Sequence, residues 1–498
     1  MYIGLDIGTS GSKADLIDKH GNVLGSGQVS YSFSKTANGC RELDAQAVWE
    51  AAKKCLYEAA SGRKVESITV SALGEAVVPV DREGKPVGPG ITGTDIRGAE
   101  ELKEITEAFG VRTLTDITGL NLSTIYSANK ILWLKKHQPE IYQKAYKILT
   151  FQDYIIYRLC HEAIIDYSMA SRTLLFDVNT KDWSDVLLTW TGISREKLAK
   201  PAPAGSIAGE LEQSLAEELN ILGTVKIVTG THDHICNAIG SGVCQAGSCS
   251  NTVGTTEGLT AVLERSALSS ESIEDYQIAC EPFAVEGLYN TVAWNNTSGV
   301  LLKWFVNEMV REEKPEAIIA TFAKMNAKMS KDPTNLFVLP HFSGAATPYM
   351  DSESRGAVLG LTLDTKREDI YKALMEGANY ELAVILDDLQ HAGLKLKKIV
   401  ENGGAISPEL LQIKADILGV PVYTVKNRQT GTLGGAILGA VVSGEYSSVQ
   451  EGVSAMVTED QFYEPDQTRM QIYREKFEVY KKIYPSIMEI NHNMAKLK

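Results

Sequence analysis

The chain has 498 residues, 44% hydrophobic and 22% charged, a length and balance that suit two large domains with buried cores and exclude a disordered polymer. Its net charge of −14 argues against nucleic acid and anionic membrane as partners, because both need a basic surface. No apolar run approaches the roughly 18 residues that span a bilayer, and seven scattered cysteines without a CxxC pair read as reduced thiols.

Residues 2–7 and 12–18 are short apolar runs on either side of Gly8–Gly11 and predict a strand hairpin with a glycine-bearing turn. Asp6 and Gly8 interrupt any apolar leader core, so the expected setting is the cytoplasm. A third run at 22–32 extends the meander. Glu42–Ala59 then carries Leu43, Val48, Trp49, Ala52 and Leu56 at helical spacing, with Asp44 at the N-cap. A strand over Ser67–Ser71 completes an α/β layer whose sheet mixes antiparallel and parallel pairs.

The stretch from Ala99 to Leu159 is mainly helical in pattern, and Lys226–Thr229 predicts an apolar strand that stops at Gly230. Gly240, Gly242 and Gly247 cluster around Val243–Ser248, where a domain boundary divides the chain into 1–244 and 245–498. Late in the chain, Lys397–Val400 reads as a strand, followed by Gly403-Gly404 and a helix. That helix has Ser407 as N-cap, Pro408 in its first turn and Gly419 just past its end.

Two segments share one pattern. IGLDIGTSGSKADLID, from Ile3 to Asp18, is matched by CSNTVGTTEGLTAVLE, from Cys249 to Glu264, with Gly8, Thr9 and Ser10 facing Gly254, Thr255 and Thr256. The second glycine follows the first by 246 positions, almost half the chain. Gly8 and Gly11 let the backbone approach a phosphate, while Thr9, Ser10 and Ser12 supply hydroxyls and amides. Asp6 beside such a turn would repel phosphates unless a cation intervened, which fits Mg²⁺ held through water. Lys13 adds a positive charge. One such hairpin also occurs as a plain polar turn; the matching second copy favours a nucleotide clamped between two halves.

The segment GTHDHICNAIG, Gly230–Gly240, follows the KIVT strand and puts Asp233 where strand gives way to helix. A carboxylate there accepts a proton from a substrate hydroxyl as it attacks phosphorus, or simply caps the helix. His232 and His234, with Cys236, raise a metal site as an alternative, although the spacing fits no recognised ligand set. His234 is the better reading as a substrate contact. Gly403 and Gly404 leave backbone room for an adenosine, or mark tight packing. Glu75, Asp95 and Arg97 follow the 67–71 strand and either read sugar hydroxyls or form a solvated cluster.

Together with DYSMASRTLLFD at Asp166–Asp177, LPHFSGAATPYMDSESRGAVLGLT at Leu339–Thr362 and ENGGAISPELLQIKADILGVPV from Glu401, these motifs resemble the FGGY carbohydrate kinases over residues 2 to about 445. The resemblance implies an α/β fold of two actin-like, ribonuclease-H-like domains, in the superfamily of sugar kinases, actin and heat-shock chaperone ATPases. A catalytic cleft would lie between them and close over ATP and a sugar or polyol. It implies Asp233 as catalytic base and as a neighbour of the metal, Asp6 on Mg²⁺, and Thr9, Ser10 and Lys13 on the first phosphate loop. It implies Gly254 and Thr255 on the second loop, Gly403, Gly404 and the following helix start at Ser407 on adenosine, and Glu75 on the sugar.

Glycerol kinases carry Arg-Glu where this chain has Gly74-Glu75, which weighs against glycerol, and xylulose kinases carry Gln-Met-His near the place of Leu73, Gly74 and Glu75. The acceptor the resemblance implies is a ketopentose of xylulose or ribulose type. Another polyol, tetrulose, hexulose or aldonate is the alternative. A different class, an ATPase switch of the actin or chaperone kind, shares the architecture and differs in needing no sugar. A homodimer is left open, since nothing in the sequence marks an interface.

Overall fold

Strand β1 (Tyr2–Ile7) pairs antiparallel with β2 (Gly11–Ile17) across the Gly8 turn, and β2 pairs with β3 (Val23–Ser30), as the apolar runs predict. These elements belong to a computed structural model that describes residues 1–35, 39–264, 268–311, 315–404 and 406–497. Helix α1 (Ala45–Ala60) starts at Asp44, whose carboxylate accepts from the N–H groups of Gln46 and Ala47. The helix starts where that cap predicts, and Arg41–Leu43 before it forms a strand paired with Gly90–Ile91.

Strand β4 (Ser67–Ala72) lies parallel to β1, then come the short helix α2 (Tyr167–Ser171), β5 (Ile207–Glu210) and β6 (Lys226–His232). The sheet order is β5-β6-β4-β1-β2-β3. β6 does not stop at Gly230. It runs on to His232 with a register shift after Thr229, because Gly230, lacking a side chain, fits against the Val70 carbonyl 2.4 Å from where a Cβ would stand. Helix α3 (Asp233–Gly240) follows directly. Between β4 and α2 the chain is mostly helical, over Ala99–Phe109, Val111–Thr118, Ser127–His137, Pro139–Lys144 and Phe151–Cys160.

The second half repeats the first. Strands β7 (Ser248–Val253), β8 (Glu257–Glu264), β9 (Glu281–Pro282), β10 (Leu288–Asn295) and β11 (Lys398–Asn402) join β12 (Val422–Val425) and β13 (Glu459–Tyr463). Their order is β9-β10-β8-β7-β11-β12-β13. β10-β8-β7-β11-β12 reproduces β3-β2-β1-β4-β6, with two antiparallel pairs and then two parallel ones. Helix α4 (Pro408–Leu418) follows β11, capped by Ser407 and ended by Gly419 in the left-handed region.

A helix forms part of the contact between the halves. Helix α5 (Thr430–Val442), rich in Gly and Ala and buried over Thr432–Ala440, packs on α3, β1 and β4 of the first half. Gly4 makes this contact feasible, since a Cβ there would stand 1.9 Å from the Thr432 carbonyl oxygen. Across the same contact the Thr432 hydroxyl donates to the Asp15 carboxylate at 2.5 Å. The first sheet's core centres on Ile3, Leu5, Leu16, Trp49, Leu56, Ile68 and Val70, each such buried side chain contributing about 1.5–3 kcal/mol. Among the described residues no helix is long and apolar enough to cross a membrane.

Candidate active site

In the first sheet Ile7, Ala72 and His232 lie level in the ladder, so three parallel strands end at one edge. That edge presents the Gly8 turn, Glu75 and Asp233, the place where open α/β sheets bind ligands. In the second sheet Thr252 is level with Asn402, which brings the Gly254 turn and Gly403 to a matching edge. The two edges meet where the His234 Cε1 lies 2.9 Å from the position a Gly258 Cβ would take.

The first turn is built as expected. Its Gly8 N–H donates to the Gly11 carbonyl at 2.9 Å, and Thr9 and Ser10 are exposed. Ser12 is different. It is fully buried and hydrogen-bonded to the Tyr31 hydroxyl, which donates to the Gly8 carbonyl at 2.7 Å, so it braces the turn without lining it. Lys13 sits opposite Asp6 in the β1–β2 register. Asp6 accepts from the Ser71 hydroxyl at 3.0 Å, and burial, then the Asp233 charge, push its carboxyl up to about 6.

Asp233 is the first residue of α3 and remains 31% exposed. Burial, reinforced by Glu75 and opposed by the His234 N–H and by Arg172, raises its carboxyl to about 7. His234 is pushed down to about 4 by burial and Arg172, and burial holds His232 well below its ordinary value, so both imidazoles are neutral at neutral pH. The His232 Nε2 stands 3.3 Å from the Asp233 carboxylate. Its buried Nδ1 has no hydrogen-bond partner among the described residues.

Glu75 faces this group with a backbone φ of 59°, and its carboxylate is gripped by the Arg172 guanidinium. Arg172, from the residue after α2, also donates to Glu281 of β9 at 2.6 Å. Neither Arg172 nor Glu281 stood out in the sequence, because they come from distant segments and meet only when the halves close together.

Asp95 corrects the expectation of a sugar contact. Its side chain is fully buried, and both oxygens are taken, one by the Arg97 Nε and N–H groups and the other by Arg97 Nη2 and the Arg41 N–H, at 2.6–2.8 Å. Arg97 holds its carboxyl below the ordinary range against the opposing effect of burial. Arg97 in turn reaches Glu42 at 2.9 Å and lies over the Trp133 ring, which makes the pair a bracket inside the wall.

On the second edge the Gly254 N–H donates to the Thr256 carbonyl at 2.9 Å, and Thr255 and Thr256 are exposed. Gly403 adopts φ 104° and fits against Val253, where a Cβ would stand 2.2 Å from the carbonyl oxygen, while Gly404 faces open space. Residue 405 lies outside the described residues. The Ser407 hydroxyl is engaged as the cap, accepting from the Leu410 N–H at 3.3 Å, so α4 offers a nucleotide its backbone start rather than a free hydroxyl.

Beneath this turn lies a charged cluster that sequence reading missed. Lys414 of α4 donates to Glu257 at 2.6 Å and to Glu401 at 2.9 Å, and Asn251 donates to both carboxylates. All four are buried. A cavity of about 530 Å³ runs along α4 past Glu409, Gln412 and Asp416. Asn326 pairs with Glu409 and Arg469 with Asp416 along it, and it holds none of the cleft carboxylates.

The pattern of the N-terminal domain of the FGGY family of carbohydrate kinases matches residues 1–240, and that of the C-terminal domain matches 249–443. This chain belongs to that family. It is an ATP-dependent carbohydrate kinase with the two-domain fold of its relatives. The kinase is 26% identical to the xylulose kinase of Staphylococcus xylosus over 97% of this chain and 99% of that one. It is 28% identical to a xylulose kinase of Staphylococcus epidermidis over 99% and 98%. The ligand-bound xylulose kinase structure from Lactobacillus acidophilus shares its fold at a TM-score of 0.89 and 24% identity, covering 98% of each chain.

Proposed function

We propose that this kinase phosphorylates a primary hydroxyl of a ketopentose, with Asp233 as the general base. The observation that carries the reading is the position of Asp233, a half-exposed carboxyl held near neutrality at the edge where the Gly8 turn, Asp6 and the His234–Gly258 contact converge. A base works best with a pKa near the operating pH. The xylulose kinase relatives support a pentulose acceptor, and Glu75 supplies a carboxylate suited to paired hydrogen bonds with sugar hydroxyls.

In this reading the Gly8–Ser10 and Gly254–Thr256 turns offer amides and hydroxyls to the ATP phosphates, and Lys13 adds charge. Gly403, Gly404 and the start of α4 hold the adenosine. Asp233 takes the proton of the acceptor hydroxyl as its oxygen bonds to the γ-phosphorus and the bond from that phosphorus to the bridging oxygen breaks, releasing ADP. His234 lines the acceptor side beside Gly258. The division at 244/245 into an acceptor-binding and a nucleotide-binding half is part of the proposal, as is a cytoplasmic setting.

Asp6 and Asp233 fit a hard divalent cation, because Asp6 is destabilised as a charge by Asp233 and burial. Among the described residues no three His, Cys, Asp or Glu gather around one point, so Mg²⁺ would be held by Asp6, with Asp233 near, and completed by water and phosphate oxygens. When bound, Mg²⁺ neutralises phosphate charge.

A coupled ADP-release screen with Mg-ATP over pentuloses, tetruloses, hexuloses, polyols and aldonates tests the reading. A pentulose giving the highest kcat/KM supports it. ADP release that no sugar stimulates would favour an ATPase switch instead.

A further inference from the structure

Gly74 stands against two side chains from elsewhere in the fold. A Cβ there would lie 3.0 Å from the Arg172 Nε and 3.0 Å from the His232 Cδ2. The guanidinium of Arg172 thus fills the volume that a side chain at position 74 would need, and it does so from the end of α2, far along the chain. It is 8% exposed and lies over the Tyr126 ring. One face of the guanidinium's charge meets Glu75 of the first half and the other meets Glu281 of the second.

We propose that Arg172 is a positioning residue of the acceptor site, which fixes the Glu75 carboxylate and ties it through Glu281 to the nucleotide half, and that the carboxylates in excess of its single charge bias the site toward uncharged acceptors. This rests on the reading that Glu75 contacts the acceptor. The backbone geometry supports a fixing role. Glu75 is a non-glycine residue in the left-handed region, a conformation that persists only where its surroundings over-determine it. Here those surroundings are Arg172 on the carboxylate and the Ser127 hydroxyl, which donates to the Glu75 carbonyl at 3.0 Å.

The charge balance supports the selective role. Arg172 is opposed by Glu75 and Glu281, and Asp233 adds a third carboxylate. Lys130 lies near Glu75, but its ammonium is spent on the backbone carbonyls of Gly93 and Thr124. The Asp95–Arg97 pair cancels itself. No free guanidinium or ammonium among these groups is left to receive a carboxylate, and the sum of the charges is negative. An acceptor bearing its own anion, such as an aldonate, meets repulsion in a low-dielectric site, whereas hydroxyls find an acceptor in the Glu75 carboxylate.

Kinetics of Arg172→Lys and Glu281→Gln with a neutral pentulose and with an aldonate test this. Lysine keeps the charge but loses the two-pronged grip, so acceptor KM should rise about tenfold while KM for ATP stays within about twofold, the loss of one charge-assisted hydrogen bond. Glu281→Gln should raise the aldonate-to-pentulose ratio of kcat/KM by about tenfold, through removal of one like charge. Equal increases in both KM values for Arg172→Lys, or an unchanged acceptor ratio for Glu281→Gln, would overturn the proposal. Wild-type enzyme that uses an aldonate as well as a pentulose would refute the selective role while leaving the kinase reading intact. If no pentulose, polyol or aldonate stimulates ADP release at all, the acceptor reading falls and the proposal falls with it.

Discussion

His234 and Gly258 join the two halves of the kinase at its working edge: the imidazole Cε1 occupies space 2.9 Å from where a Gly258 Cβ would stand. The residue before His234 is the proposed base, and Gly258 lies two residues past Thr256 on the second turn. A methyl group at 258 would push on a flexible ring, so folding should change little while the base shifts relative to the phosphates. Gly258→Ala is expected to lower kcat about tenfold or more, with Tm nearly unchanged. Wild-type kcat in this variant would separate the contact from function.

With Asp233 as the proposed base, its carboxyl, pushed up to about 7 by burial, would set the acid limb of the reaction. kcat/KM for the acceptor should climb with pH through about 7 and level off above it, because only the ionised form accepts a proton. Stability moves the other way. The folded value lies above the ordinary 3.8, so between about pH 4 and pH 7 the folded chain keeps a proton the unfolded chain has released, and stability falls as pH rises through that window. Asp233→Asn removes the buried charge and should raise Tm by roughly 1–3 °C at pH 8, with a smaller gain at pH 5. Thermal unfolding at the two pH values checks both signs.

Asp6 is expected to matter through Mg²⁺. Chelation of divalent cations should abolish turnover, and Asp6→Asn should raise the Mg²⁺ concentration for half-maximal activity about tenfold, the scale of one lost ligand-shell contact. A Mg²⁺ titration at fixed ATP measures this, and an unchanged midpoint would remove Asp6 from the role.

Lys414 pairs with two carboxylates under the Gly254 turn. Burial opposes its charge, but Glu257 and Glu401 outweigh burial and raise it above the ordinary lysine value. Lys414→Met would leave those carboxylates buried and unpaired, at about 3–5 kcal/mol. Chemical denaturation should show the loss, and the triple replacement of Lys414, Glu257 and Glu401 by apolar residues should recover much of it.

The parts legible in sequence were those whose physics is local. Short apolar runs around Gly8 and the matching pattern around Gly254 pointed to both hairpins, and the Asp44 and Ser407 caps to helix starts, because each depends on residues a few positions apart. Long-range pairings were hidden. Arg172 meets Glu281 across 109 positions, and Lys414 meets Glu257 across 157, separations that no local pattern reveals. Asp95 and Arg97 suited either a sugar contact or a solvated cluster, and the structure instead makes them a buried ion pair. The crossing of Thr430–Val442 onto the first sheet left no periodic signal, since a helix apolar all round shows no preferred face.

The account stands on Asp233 as the group that takes the acceptor's proton. Single-turnover and steady-state ADP release with Mg-ATP and the best pentulose, compared between wild type and Asp233→Asn, test this most directly. The account predicts a kcat lower by about 100-fold or more, with KM for ATP little changed. Turnover within severalfold of wild type would contradict it.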